Sequence, residues 1–220
     1  MIFTGNPGTG KTTIARLVSR MMKVVGVLKQ GQLVEVTRAD LVGKYVGHTA
    51  PLTMSVIQSA LGGVLFIDEA YSLYRGKDDS FGLEAIDTLV KAMEDHRDDL
   101  IVILAGYTKE MKEFLEANSG LKSRFANIIE FSDYTGEELM LIAKSIAKGK
   151  DYVIADDALR PLQDYFTIIQ AKGDPNSGNG RLARNLVEDA ILRQSKRLLE
   201  NPDDEKMNVL ERVDFNLGEN

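Results

Sequence analysis

The chain has 220 residues, 44% of them hydrophobic and 27% charged, which suits one large or two small globular domains. Its 27 Lys and Arg against 33 Asp and Glu give a formal net charge of −6, so a surface built to coat nucleic acid is not expected. With no cysteine and two distant histidines, His48 and His96, it excludes disulfides, thiolate metal sites, iron–sulfur clusters and thiol catalysis.

Taken in chain order, the pattern alternates strand and helix. Residues 1–4 read as a short apolar strand that runs into a Gly-rich loop. Ile14, Leu17, Val18, Met21 and Val25 repeat at helical spacing, predicting a helix over 11–25 with that stripe turned inward. Residues 33–37 read as a strand, and Thr49 before Ala50-Pro51 as a helix start, since Pro is tolerated in the first turn. The continuous apolar run 64–67 is typical of a strand buried on both faces. Leu83, Ile86, Leu89, Val90 and Met93 mark the next helix, followed by a strand at 100–105, a helix near 109–117 and a fifth strand at 128–131. Beyond Tyr134 only helices are expected, at about 136–149, 156–171 and 181–200. The expected fold is α/β: a parallel sheet covered on both faces over residues 1–134, then a helical domain over 135–220. No apolar run approaches the roughly 18 residues of a membrane span. No leader pattern is read at the N-terminus, so a cytoplasmic protein is the expectation.

Two stretches carry chemistry. Gly5-Asn6-Pro7-Gly8-Thr9-Gly10-Lys11-Thr12 matches G-x-x-x-x-G-K-[ST] in full, between a strand and a helix. Glycines let successive backbone N–H groups face one anion, and the following helix presents its positive end to phosphates. Asn6, Pro7, Gly8, Thr9, Gly10, Lys11, Thr12 and Thr13 form the expected phosphate-binding set, with Lys11 reaching the β- and γ-phosphates and Thr12 holding Mg²⁺. The second stretch, Val64-Leu65-Phe66-Ile67-Asp68-Glu69, delivers two carboxylates at the end of a buried strand, where ligands sit in open α/β sheets. Asp68 is expected in the Mg²⁺ shell and Glu69 beside the attacking water. Alone, such an Asp-Glu pair is as easily a solvated helix start; beside a phosphate loop it is half of a hydrolytic site.

The two motifs, their separation and the segments around them resemble the AAA+ ATPases, and among them the red-type Rubisco activases and stage V sporulation protein K. ATPases of type VII secretion systems carry a related domain. The resemblance is carried by the stretch from Val36 to Pro51, which includes Arg38-Ala39-Asp40-Leu41-Val42-Gly43-Lys44-Tyr45-Val46-Gly47-His48-Thr49, by Gly62-Gly63 through Leu73, by Ile103-Leu104-Ala105-Gly106-Tyr107 and by Arg184-Asn185-Leu186. It implies a P-loop NTPase with a five-stranded sheet in the order 5-1-4-3-2, a small helical lid, and a hexameric ring with ATP at the subunit interfaces. Members of the family carry a helical stretch before the first strand. Here Met1 already lies in that strand, and a chain shortened at this end is the expectation.

The same resemblance implies roles for single residues. Lys44, Tyr45, Val46 and Gly47 look like a pore loop that grips a client polypeptide; the bland alternative is a tyrosine packed against its own sheet. Arg124, in Ser123-Arg124-Phe125, resembles an arginine finger acting on a neighbour's ATP, with Lys122 as a second candidate and an ion pair within the chain as the alternative. The γ-phosphate sensor after the fourth strand is Tyr107 or Thr108. Arg181, at a Gly-Arg helix start, resembles the lid's sensor, with Arg184 one turn on. The acidic runs 95–99 and 203–205 read as solvated surface. The expectation is an ATP-driven ring motor acting on a polypeptide. The alternatives are a nucleotide-bound scaffold with little turnover and, less supported by the acidic charge, a DNA-associated loader.

Overall fold

In chain order the elements are β1 (Ile2–Gly5), α1 (Lys11–Val24), β2 (Leu33–Val36), α2 (Arg38–Leu41), α3 (Thr49–Ala60), β3 (Gly63–Ile67), α4 (Ser80–Asp95), β4 (Leu100–Gly106), α5 (Thr108–Ala117), α6 (Ser119–Arg124), β5 (Ile128–Phe131), α7 (Gly136–Gly149), β6 (Val153–Ile154), α8 (Asp156–Ala171), α9 (Asn179–Glu200) and β7 (Val209–Leu210). They come from a computed structural model that describes residues 1–175, 177–200 and 207–218. The acidic run 203–205 and Asn176 lie outside the described residues. Two units are present, one of residues 1–5 and 10–131, the other of residues 6–9 and 132–220.

In the first unit the strands form one sheet in the order β2-β3-β4-β1-β5, every neighbouring pair parallel, as the resemblance implied. β3 is buried at all five positions, which is why its sequence is a continuous apolar run rather than an alternating one. Ile2, Leu65, Ile67, Val102 and Leu104 point to one face, where Leu41, Ile57, Leu89, Met111, Phe114 and Leu121 from the helices cover them. Phe3, Val64, Phe66, Ile103 and Ala105 point to the other, against Ala15 and Leu28. The register sets Ile67 opposite Leu104 and Thr4 opposite Gly106, so the C-terminal ends of β1, β3 and β4 share one edge.

One expectation about α1 is corrected. Its inward face is Ala15 and Ser19, while Ile14, Leu17, Met21 and Val25 are exposed by 38 to 67%. Ala15 and Ser19 are four residues apart and small, so the helix settles closely on Phe3 and Phe66. The apolar stripe that revealed the helix lies roughly 100° round from them.

The second unit is mostly helical. Thr135 and Glu138 cap α7 reciprocally: Glu138 N donates to Thr135 Oγ1 at 3.2 Å and Thr135 N to Glu138 Oε2 at 2.8 Å. Leu139, Met140, Ala143, Leu162, Phe166, Val187, Ala190 and Phe215 make its core. Arg197 clamps the buried Asp214 through two bonds, from Nε at 3.0 Å and Nη2 at 3.1 Å. A second correction concerns strands: β6 and β7 pair in parallel, although none was expected beyond Tyr134. Two-residue strands are too short to carry a period. Helix α9 also begins at Asn179, two residues before the expected start at Arg181.

Candidate functional site

Lys11 and Thr12 open α1 behind Gly10, a left-handed residue at φ 92° that caps the helix without a side chain. The first intrahelical bond runs from Ile14 N to Gly10 O at 2.9 Å, so the N–H groups of Lys11, Thr12 and Thr13 lie ahead of it. No acidic residue stands in this first turn. The helix start is thus shaped for an anion. Lys11 Nζ donates to Gly5 O at 2.8 Å, which lays the ammonium back over the start of the loop.

Two strands away, β3 is followed directly by Asp68 and Glu69. Asp68 is half-buried; its N donates to Val36 O at 2.8 Å, and its Oδ1 accepts from Glu69 N at 3.0 Å. Glu69 is exposed and left-handed, at φ 48° and ψ 45°, a conformation that costs a non-Gly residue of order 1–3 kcal/mol and that clusters at working sites. Its carbonyl accepts from Ser72 N at 2.8 Å and starts the tight turn Ala70–Leu73. Thr12 and Asp68 are oxygen donors of the kind Mg²⁺ takes. Among the described residues no cluster of three His, Cys, Asp or Glu forms a metal cage. Mg²⁺ needs none, since it is usually bound by one or two protein oxygens together with substrate phosphates.

Tyr71 was not singled out in the sequence, although it follows Glu69 by two residues. Its ring lies 5.9 Å from that of Tyr107, and its hydroxyl is pushed up to about 12 by burial and by the negative charge of Glu69. The phenol is thereby held further toward its neutral form. Tyr107 is half-buried; Thr108 is exposed and opens α5. Arg124 ends α6 and is exposed. Its Nη1 donates to Gly120 O at 3.3 Å, and Nη2 stands 3.9 Å from Glu94 Oε2, so the in-chain ion pair is present but loose. Lys122 is exposed nearby.

Residues 42–48 form a projecting loop. Its base is pinned by Gly43 N donating to Thr49 Oγ1 at 3.1 Å and Thr53 Oγ1 donating to Leu41 O at 2.8 Å. Its tip is a β-turn, with His48 N donating to Tyr45 O at 3.1 Å and Gly47 at φ 80°, where an L side chain is strained. Tyr45 is 69% and Val46 87% exposed, and Lys44 is exposed beside them, so Tyr45 does not pack against the sheet. A concavity of about 330 Å³ lies among Gly43, Tyr45, His48 and Leu52.

Residues 6–9, the tip of the phosphate loop, belong to the second unit and are held within it by their carbonyls. Asn179 Nδ2 donates to Pro7 O at 3.4 Å, Gly180 N to Gly8 O at 3.0 Å and the Tyr134 hydroxyl to Thr9 O at 3.0 Å. Asn6 Nδ2 donates to both Asp133 oxygens, at 3.0 and 2.9 Å, and Asn179 Nδ2 reaches the same carboxylate at 2.8 Å. Thr9 closes the loop on itself, Oγ1 donating to Asn6 O at 2.8 Å. Asp133, Tyr134 and Asn179 were legible only as linker and loop composition. Arg181 and Arg184 are both exposed on α9.

With this geometry in place, comparison with known proteins identifies the class. Residues 1–133 match the family model described as ATPase family associated with various cellular activities (AAA), and residues 135–220 match the AAA lid domain. The chain belongs to the AAA ATPase family. Among curated relatives, it is 50% identical to stage V sporulation protein K of Bacillus subtilis (strain 168) over 90% of this chain and 62% of that protein. It is 48% identical to protein CfxQ of Xanthobacter flavus over 91% and 63%. It is 46% identical to the chloroplastic ribulose bisphosphate carboxylase/oxygenase activase of Cyanidioschyzon merolae over 92% and 69%. The chain thus spans a little under two thirds of the first two relatives. The AAA domain of FIGL-1 solved with ADP superposes with a TM-score of 0.65 at 22% identity, covering 97% of this chain and 68% of that one. A Thermotoga maritima RuvB variant superposes at 0.64 and 24% identity, covering 97% and 59%. These two share the fold. No helix among the described residues is long and apolar enough to cross a membrane.

Proposed function

We propose that this chain hydrolyses ATP to ADP and phosphate in a hexameric ring and spends the turnover on pulling or distorting a client polypeptide. The observation that carries the reading is the left-handed Glu69 beside Asp68, on the same sheet edge as the uncapped start of α1. Asn6 to Thr13 cradle the phosphates through their backbone N–H groups, Pro7 having none and serving to shape the loop, and Lys11 neutralises the β- and γ-oxygens. Thr12 and Asp68 would hold Mg²⁺, which supplies charge neutralisation on the phosphates. Glu69 orients a water for attack on the γ-phosphorus and draws off its proton as the bond to the bridging oxygen breaks. Tyr107 or Thr108, and the lid's Arg181 in preference to Arg184, sense the γ-phosphate, and Arg124 of a neighbouring subunit stabilises the transferring group. Lys44, Tyr45, Val46 and Gly47 contact the client. The working division is an α/β domain over 1–134 and a lid over 135–220, in a cytoplasmic setting, with a polypeptide rather than nucleic acid as the client. The test is Glu69→Gln: ATP binding is retained while turnover falls by about 10²-fold or more. Undiminished turnover overturns the reading.

A further inference from the structure

Arg38 lies outside the two phosphate motifs, yet its guanidinium donates to two backbone carbonyls and to both oxygens of a carboxylate. The side chain is 16% exposed. Nη1 donates to Ser72 O and Leu73 O, both at 2.9 Å, and to Asp79 Oδ2 at 2.7 Å, while Nη2 donates to Asp79 Oδ1 at 3.0 Å. Asp79 in turn caps α4, its Oδ1 accepting from Gly82 N at 3.1 Å. A paired fork of this kind is among the stronger polar contacts a protein makes, and its geometry is demanding.

Three segments meet at this fork. One is the turn Ala70–Leu73 that Glu69 opens, and Arg38 takes its last two carbonyls. Another is the start of α4. The third is α2 itself, whose C-terminal end runs straight into residues 42–48. Residue 82 is fitted to the arrangement: a Cβ there would strike Leu73 O and come within 2.5 Å of Asp79 Oδ2 and 2.8 Å of Arg38 Nη1. The glycine leaves room for the fork to close.

The geometry points to Arg38 as a positioning residue that fixes the turn beginning at Glu69 and, through α2, ties it to the loop bearing Tyr45. This rests on the reading of Glu69 as the water-orienting group and of Tyr45 as the client contact. A change in the partners of Glu69 shifts the 70–73 turn, the fork carries the shift to α2, and the four residues of α2 deliver it to the loop. The coupling path is thus two hydrogen-bonded carbonyls, one guanidinium and one helical turn.

The chain has no tryptophan, so Tyr45→Trp introduces a single indole on the loop. In that background, emission is recorded with and without Mg–ATP, alongside kcat, KM, binding of a fluorescent ATP analogue and melting temperature. Arg38→Lys keeps the charge and loses the fork; Arg38→Met loses both; Gly82→Ala disturbs the fork without touching a charge. The expected result for Arg38→Lys and Gly82→Ala is a kcat lower by about tenfold, KM and analogue affinity within about twofold of the parent, and loss of the nucleotide-dependent emission change. Parental kcat and parental emission response in Arg38→Lys and Arg38→Met overturn the proposal while leaving the roles of Glu69 and Tyr45 standing. So does a fall of kcat, affinity and melting temperature together, which marks a merely structural residue. A parent that hydrolyses ATP with no emission change overturns the loop reading and the link to it. Full turnover in Glu69→Gln overturns the hydrolytic reading instead.

Discussion

The ring of Tyr45 stands edge-on to the ring of His48, with centroids 5.5 Å apart and planes at 78°. The two residues end one β-turn, so the contact and the turn's hydrogen bond close the same short loop. Tyr45 is otherwise turned to solvent. Tyr45→Ala is expected to change stability by less than about 0.5 kcal/mol in thermal melts. It is also expected to abolish any stimulation of ATP turnover by a permanently unfolded polypeptide. Gly47→Ala meets open space but must adopt φ 80°, and should cost about 1–2 kcal/mol through backbone strain alone.

Arg124 separates rate from stability. Its pair with Glu94 is long, at 3.9 Å, and both side chains are solvent-accessible, so the pair contributes about 0–1 kcal/mol. Arg124→Ala is therefore expected to melt close to the parent while losing about 10³-fold in turnover. Glu94→Ala is expected to change neither by much. Equal losses of rate and stability in Arg124→Ala would show an in-chain structural role.

Asp79 predicts an acid limb. The Arg38 guanidinium holds the Asp79 carboxyl below the usual carboxylate range, against the opposing pull of burial. A depressed folded value means the stabilisation is complete above the ordinary Asp value of about 4 and is lost as pH falls through the depressed one. Urea unfolding across that window should show Asp79→Asn less stable than the parent at neutral pH, with the gap narrowing as the medium becomes acid. A gap independent of pH would contradict the assignment of the charge to this pair.

The face of α1 makes a packing prediction. Ala15 is fully buried against Phe3 and Phe66, so Ala15→Leu should destabilise by about 1–3 kcal/mol through overpacking. Leu17 is 52% exposed, and Leu17→Ala should cost less than about 0.5 kcal/mol in the same denaturation experiment.

That contrast shows what periodicity can and cannot tell. The stripe of Ile14, Leu17 and Met21 located the helix correctly, because any apolar repeat near 3.6 residues marks one. It misplaced the inside, because small residues such as Ala15 and Ser19 carry little hydrophobic weight yet allow the closest approach. The strands at 64–67 and 128–131 were legible from length and composition, and their order followed from the resemblance rather than from any spacing. The β6–β7 pair was too short to read. At the site, Lys11, Thr12, Asp68 and Glu69 were visible because their chemistry demands fixed neighbours in sequence. Tyr71, Asp79, Asp133 and Asn179 were not, because each acts on a partner that only folding brings near. Arg38 could be quoted as part of a motif, but its fork onto Ser72, Leu73 and Asp79 spans 34 to 41 residues of chain.

The most direct test of the account is ATP turnover per subunit measured against protein concentration, with Glu69→Gln as the blank. A site completed by a neighbour's Arg124 gives turnover that rises steeply with concentration and then saturates. Turnover per subunit that is the same at every concentration, or that never exceeds the blank, contradicts it.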